Sequence, residues 1–246
     1  MSPAAAGPTR RVLAESRAGV LHVRLEDPDH NNALGPDLVA ELRAALSTGD
    51  ATRAVLLTGA GRNFCAGGDH TELAALGPDA FRRYLADVAG LFATVEALPL
   101  VVGVQRAVVG GGLELALLAD FVLAADDAWF QLPQIELGGR VGTPTLRHLV
   151  ARCGLSAARR LLLAGERFDA ATALATGLGD RVVARAKLPS AAEDLANTLA
   201  GRPPAALARA RESLSDLIGA ADGLRTAVER RERALHGPDD ARSAQR

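Results

Sequence analysis

A chain of 246 residues with 48% hydrophobic and 23% charged residues can bury a large core and has the balance of a globular protein. Its 28 basic and 29 acidic residues nearly cancel, which excludes the basic excess of a general nucleic-acid or membrane-surface binder. With only 3% aromatic residues, the core is expected to be built from Ala, Val and Leu.

In chain order, the hydrophobic pattern predicts a strand at Val20–Leu25, a helix at Leu38–Leu46, a strand at Ala54–Thr58 and a helix at Ala80–Leu98. It continues with a strand at Leu100–Val104, a helix at Leu113–Ala119, a strand at Phe121–Ala125 and a helix at Ala157–Leu163. Strands separated by helices imply an α/β architecture with at least partly parallel pairing. From Ala191 to about Leu235 the pattern is helical, with a break at Gly201-Arg202-Pro203-Pro204. The predicted organisation is an α/β core over residues 1–190 and a helical subdomain over 191–246.

Cys65 and Cys153 cannot make a disulfide framework and have no metal-ligand spacing around them, so no metal is expected. The opening MSPAAAGPTRR lacks the apolar stretch of a secretory signal, and the apolar run around Leu98–Val104 is far short of a bilayer span. The expectation is a cytoplasmic protein with neither membrane nor nucleic acid as partner.

Two glycine segments carry chemistry. In Leu56-Leu57-Thr58-Gly59-Ala60-Gly61-Arg62-Asn63-Phe64-Cys65-Ala66-Gly67-Gly68-Asp69 a strand enters a glycine-rich turn, and Asp69 stands where a helix can begin. Such a turn lets backbone N–H groups aim at an anionic oxygen. The plainer reading is a tight turn with Asp69 as N-cap. In Val108-Val109-Gly110-Gly111-Gly112-Leu113-Glu114 three glycines meet the start of a helix that is apolar on nearly every side. Free N–H groups and the positive dipole end then lie beside Glu114, whose partial burial would raise its pKa toward that of a general base.

The order FCAGGD, then VVGGGLELALLAD, with Asn32-Ala33-Leu34 before and Phe130-Gln131-Leu132-Pro133-Gln134-Ile135-Glu136-Leu137-Gly138 after, resembles the crotonase superfamily, the enoyl-CoA hydratase/isomerase family. The likeness continues through Ala164-Gly165-Glu166-Arg167-Phe168-Asp169-Ala170. It implies a crotonase-like spiral of ββα units with C-terminal helices that assemble trimers or dimers of trimers. It also implies an oxyanion hole, made by the Gly68 and Gly111 amides, that stabilises an acyl-thioester enolate. Glu114 matches the first of the two glutamates that flank the double bond in the hydratases. The second position is Gln134, which cannot carry a proton at neutral pH. Glu136, two residues on, would share a face with Gln134 if the segment is extended, and is otherwise a solvated loop carboxylate.

The resemblance further places Ala33, Ala66, His30, His70 and Trp129 along the substrate. The plain alternatives are surface histidines and a strand tryptophan. Asp29 would repel a coenzyme A phosphate that His30 would attract; Arg106 would meet a phosphate or occupy a turn surface. The sequence stops at Arg246, before the helix that in relatives reaches a neighbour's coenzyme A. The expected partner is therefore an acyl-CoA or acyl-carrier-protein thioester, with coenzyme A as substrate carrier and no separate cofactor. The leading expectation is addition of water to a 2-enoyl thioester. The alternatives are double-bond isomerisation with Glu114 as single base, decarboxylation, thioester hydrolysis, or a binding protein that has lost turnover.

Overall fold

The computed structural model describes residues 11–47, 51–139 and 141–235, with side chains up to residue 219. The chain divides into a first unit, Met1–Arg202, and a second, Pro203–Arg246.

The first unit begins with an antiparallel pair, β1 (Val12–Arg17) and β2 (Val20–Leu25). Then follow α1 (Pro36–Leu46), β3 (Ala54–Gly59), α2 (His70–Ala74), α3 (Pro78–Ala97), β4 (Leu100–Val104), β5 (Ala107–Val109) and α4 (Gly111–Leu117). The remainder is β6 (Phe121–Ala125), β7 (Trp129–Gln131), α5 (Thr143–Leu162), β8 (Phe168–Asp169), α6 (Ala170–Thr176), β9 (Arg181–Val183) and α7 (Leu188–Ala200). The larger sheet has the order β1-β2-β3-β4-β6-β9, parallel from β2 onward; the smaller is β5-β7-β8.

Isolated parallel pairings of Leu34 with Gly68 and of Cys65 with Val108 continue the smaller sheet toward the N-terminus. Each turn of the chain thus gives one segment to the larger sheet, one to the smaller, and then a helix. The expected spiral of ββα units is the observed fold. Successive turns stack in parallel, so the ends of their small-sheet segments, where the helices begin, come side by side.

The central strands read clearly from sequence because both their faces are covered, which removes alternation and leaves continuous apolar runs. Every residue of β4 is buried. Its Gly103 lets α7 approach closely: a Cβ there would stand 3.4 Å from the Cβ of Ala192 and 3.8 Å from Leu188 Cδ1. Helix α7 lies in the first unit, which runs to Arg202. The core is largely Val, Leu and Ala, but Phe64, Phe130 and Phe168 are among its largest fully buried side chains.

Helix α5 begins well before the predicted Ala157, and Gly154 (φ 70°) interrupts its regular geometry, which hides the periodicity of its first half. The second unit contains α8 (Pro204–Leu235), opening on a proline suited to a first helical turn.

Candidate active site

Residues 64–67 run parallel to 105–109, through Phe64 N–H to Gln105 O (2.9 Å), Cys65 N–H to Ala107 O (3.1 Å) and Val109 N–H to Cys65 O (3.1 Å). That pairing brings the two glycine turns together. A Cβ on Gly67 would sit 3.0 Å from Val109 O, and one on Gly110 would sit 3.7 Å from Gly67 Cα. Both adopt positive φ (94° and 51°), a conformation that favours glycine, and at Gly67 the close approach of Val109 O does so as well.

Gly68 and Gly111 follow these two residues. Among the described residues neither amide has a hydrogen-bond acceptor. Gly111 is the first residue of α4, where amides are free and the dipole end is positive. Leu34 wedges between the turns. Its N–H donates to Gly67 O (2.6 Å), its carbonyl accepts from the Tyr84 hydroxyl (2.8 Å), and its Cδ1 lies 2.8 Å from where a Cβ of Gly111 would be. Burial raises the Tyr84 phenol to about 12, so it stays a donor. Asp69 also fills the plainer role, capping α2 by accepting from the Thr71 and Glu72 amides.

Asn32 is fully buried and staples this layer: its Nδ2 donates to the carbonyls of Ala60, Asn63 and Phe64, each at 3.0 Å, and its Oδ1 accepts from Asp27 N–H at 2.8 Å. Its neighbour Ala33 is half-buried, and Ala66 donates its N–H to Asn31 O (3.1 Å).

Glu114 is 8% exposed in the first turn of α4. Its Oε1 accepts from Gln134 Nε2 at 2.9 Å, so the sequence-paired positions 114 and 134 do meet. Desolvation raises the Glu114 pKa; the Thr145 hydroxyl close beside it, the Gln134 amide and the Gly142 N–H oppose that rise. Gly142 and Thr145 belong to the N-terminal turn of α5, so this helix end faces the carboxylate. Two buried atoms around Glu114 lack a well-formed hydrogen bond: Gln134 Oε1 and Thr145 Oγ1. An orphaned buried polar atom costs about 1–3 kcal/mol, so such a pair marks a place where a ligand or water completes the site. Thr145 carried no signal in the sequence beyond its position after Pro144, at a helix start.

Glu136 does not join them. Residues 133–139 form a turn, not an extended strand: Leu137 N–H donates to Pro133 O and Gly139 N–H to Gln134 O. In a turn, i and i+2 lose their common face. The exposed Glu136 side chain instead lies against Gly165, its Oε1 at 2.1 Å from where a Cβ of that glycine would stand.

Three other expected residues are dispersed. His30 is exposed and binds Asp27 Oδ1 through Nδ1 (2.7 Å), a contact that raises its pKa. His70 is exposed at the start of α2. Trp129 lies under the Arg167 guanidinium, 3.6 Å from the ring centroid, in a surface cleft of about 340 Å³ that also involves Arg106, Asp127 and Asp169. Phe130, adjacent on β7, is fully buried. The Cys65 thiol is fully buried and pushed up to about 12, which makes it inert as a nucleophile. Among the described residues no cluster of His, Cys, Asp and Glu can hold a metal ion, and no helix is long and apolar enough to cross a membrane.

This arrangement, two acceptor-free amides on neighbouring turns and one buried carboxylate at the mouth of α4, can stabilise an oxyanion and move a proton beside it. Comparison with known proteins agrees. Residues 15–243 match the family model described as enoyl-CoA hydratase/isomerase. The chain is 37% identical over 221 residues to a Rhizobium meliloti protein named "Probable enoyl-CoA hydratase", covering 87% of this chain and 85% of that one. It is 34% identical over 207 residues to "Probable enoyl-CoA hydratase echA6" of Mycobacterium leprae, covering 80% of each. Among solved structures it is similar to an enoyl-CoA hydratase from Bacillus anthracis, with TM-score 0.79 and 28% identity over 96% of this chain and 95% of that one. Fold, glycine turns and sequence likeness together establish that the chain belongs to the enoyl-CoA hydratase/isomerase family.

Proposed function

We propose that the protein adds water across the double bond of a 2-enoyl thioester, carried by coenzyme A or by an acyl-carrier protein. The carrying observation is the buried Glu114 carboxylate, held by Gln134 Nε2 at 2.9 Å. The thioester oxygen sits between the Gly68 and Gly111 amides. Water oxygen bonds to C3 as the C2–C3 π bond breaks, and the electron pair moves onto the thioester oxygen. Glu114 takes a proton from that water and delivers it to C2, so one carboxylate performs both transfers and no net proton is consumed. Preorganised donors at the developing oxyanion contribute roughly 3–4 kcal/mol each. Gln134 acts by orientation: its amide N–H groups face the carboxylate, which turns its carbonyl away from it.

A second reading is double-bond isomerisation, in which a single base removes a proton and returns it elsewhere. The seat of the exposed Glu136 side chain against Gly165 favours it, because that leaves Glu114 as the one proton carrier. As a family member, the protein would work as a trimer or dimer of trimers built through its C-terminal helices. The test is turnover of crotonyl-CoA followed by loss of the conjugated enoyl absorbance, in the wild type and in Glu114→Gln. Hydration predicts loss of absorbance that needs Glu114; turnover that survives Glu114→Gln would overturn the reading.

A further inference from the structure

Glu114 is in contact with two side chains that each keep a polar atom unsatisfied in the interior. Gln134 spends its Nε2 on the carboxylate, and its Oε1 is buried with no partner. Thr145 is 0% exposed, and its Oγ1 makes no well-formed hydrogen bond. Buried polar groups in folded proteins are nearly always satisfied, by protein or by water, and a buried water makes about three hydrogen bonds. Here the unsatisfied atoms are complementary in kind. A carbonyl oxygen only accepts, a hydroxyl can donate, and the carboxylate accepts.

We propose that Thr145 is a water-positioning residue, and that its hydroxyl together with Gln134 Oε1 and Glu114 holds the water that adds to the substrate. The inference rests on the hydration reading and goes beyond it by assigning the water's place. The water donates one hydrogen to Glu114 and the other to Gln134 Oε1, and accepts the Thr145 hydroxyl hydrogen. One lone pair remains for C3. When the C3–O bond forms, the proton on the Glu114 side departs to that carboxylate, which delivers it to C2. In this arrangement Gln134 and Thr145 share the water-holding task without titrating, and the proton inventory stays on Glu114 alone. Thr145 is well placed for the task because it occupies the first turn of α5, with the Gly142 amide close to the same carboxylate.

The experiment compares wild type, Thr145→Val and Thr145→Ser in hydration of crotonyl-CoA across pH, with binding of saturated butyryl-CoA as a second readout. Butyryl-CoA has no double bond and calls on no attacking water. The proposal predicts that Thr145→Val loses about 10- to 100-fold in kcat at every pH, as expected for a misplaced reactant, with butyryl-CoA affinity kept within about twofold. Thr145→Ser, which restores the hydroxyl, returns kcat to within about threefold of wild type. Three results would overturn it. They are an unchanged kcat in Thr145→Val, a loss that recovers at raised pH and so reflects only the charge of Glu114, or a parallel loss of butyryl-CoA binding. Absence of hydration in the wild type would instead strike the hydration reading itself, and this inference with it.

Discussion

Gln134 Nε2 stands 2.9 Å from Glu114 Oε1, at the position where the family resemblance implies a second glutamate. One carboxylate and one carboxamide differ from two carboxylates in a simple way. The pair here has no like-charge repulsion, so burial alone governs the raised pKa of Glu114, and its neighbours restrain that rise.

Replacement of Glu114 by Gln should lower turnover by about 10²–10⁴-fold while ligand binding persists. The same change should raise the melting temperature at neutral pH. The sign follows from linkage: a raised folded-state pKa means stability that is present below the ordinary glutamate range and is lost as pH rises through the folded value. At neutral pH the wild type carries a desolvated charge that the variant lacks. Thermal melts at several pH values should therefore converge toward acid.

Gln134→Glu would set a second carboxylate beside the first. Two such groups at this distance share a proton, so the acid limb of the pH–rate profile should move to higher pH than in wild type. An unmoved limb would show that position 134 does not couple to the base.

The glycines should differ sharply in tolerance. A Cβ on Gly68 meets Leu73 Cδ1 at 3.1 Å, a side chain that can shift, and the Tyr84 hydroxyl at an ordinary 3.9 Å, so Gly68→Ala should keep activity within about threefold, well below the loss expected on removing an oxyanion donor. A Cβ on Gly112 meets Cys65 O and Cβ, each at 2.7 Å, so Gly112→Ala should destabilise by about 1–3 kcal/mol or more through overpacking. Denaturant midpoints and kcat for the two variants check this directly.

Asn32→Ala should lose about 2–4 kcal/mol, because the carbonyls of Ala60, Asn63 and Phe64 lose a common donor in the interior. Tyr84→Phe removes one hydrogen bond to Leu34 and should cost about 1 kcal/mol in urea unfolding.

The legible parts of the chain were those where a physical pattern is long. Strands β4 and β6 are continuous apolar runs, β2 is apolar apart from His22 and Arg24, and the ends of all three are readable to the residue. Strand β1 escaped because it is an edge with only Val12 buried, and β5, β7, β8 and β9 are two or three residues long, too short for any period. Within the site, the spacing of Glu114 and Gln134 and the two glycine turns were visible because they lie in ordered motifs. For Glu136 the two alternatives turn on whether the segment is extended; it turns, and Glu136 is the exposed loop carboxylate. Thr145 was invisible because it reaches Glu114 from a different helix, and Asn32 showed only as part of a motif, not as the donor that ties three carbonyls together.

The most direct test of the account is mass spectrometry of crotonyl-CoA incubated in deuterated water with wild type and with Glu114→Gln. The account predicts a product heavier by one added deuterated water in the wild type and almost none in the variant. Deuterium uptake into crotonyl-CoA without added water would contradict hydration and establish single-base proton transfer through Glu114 in its place.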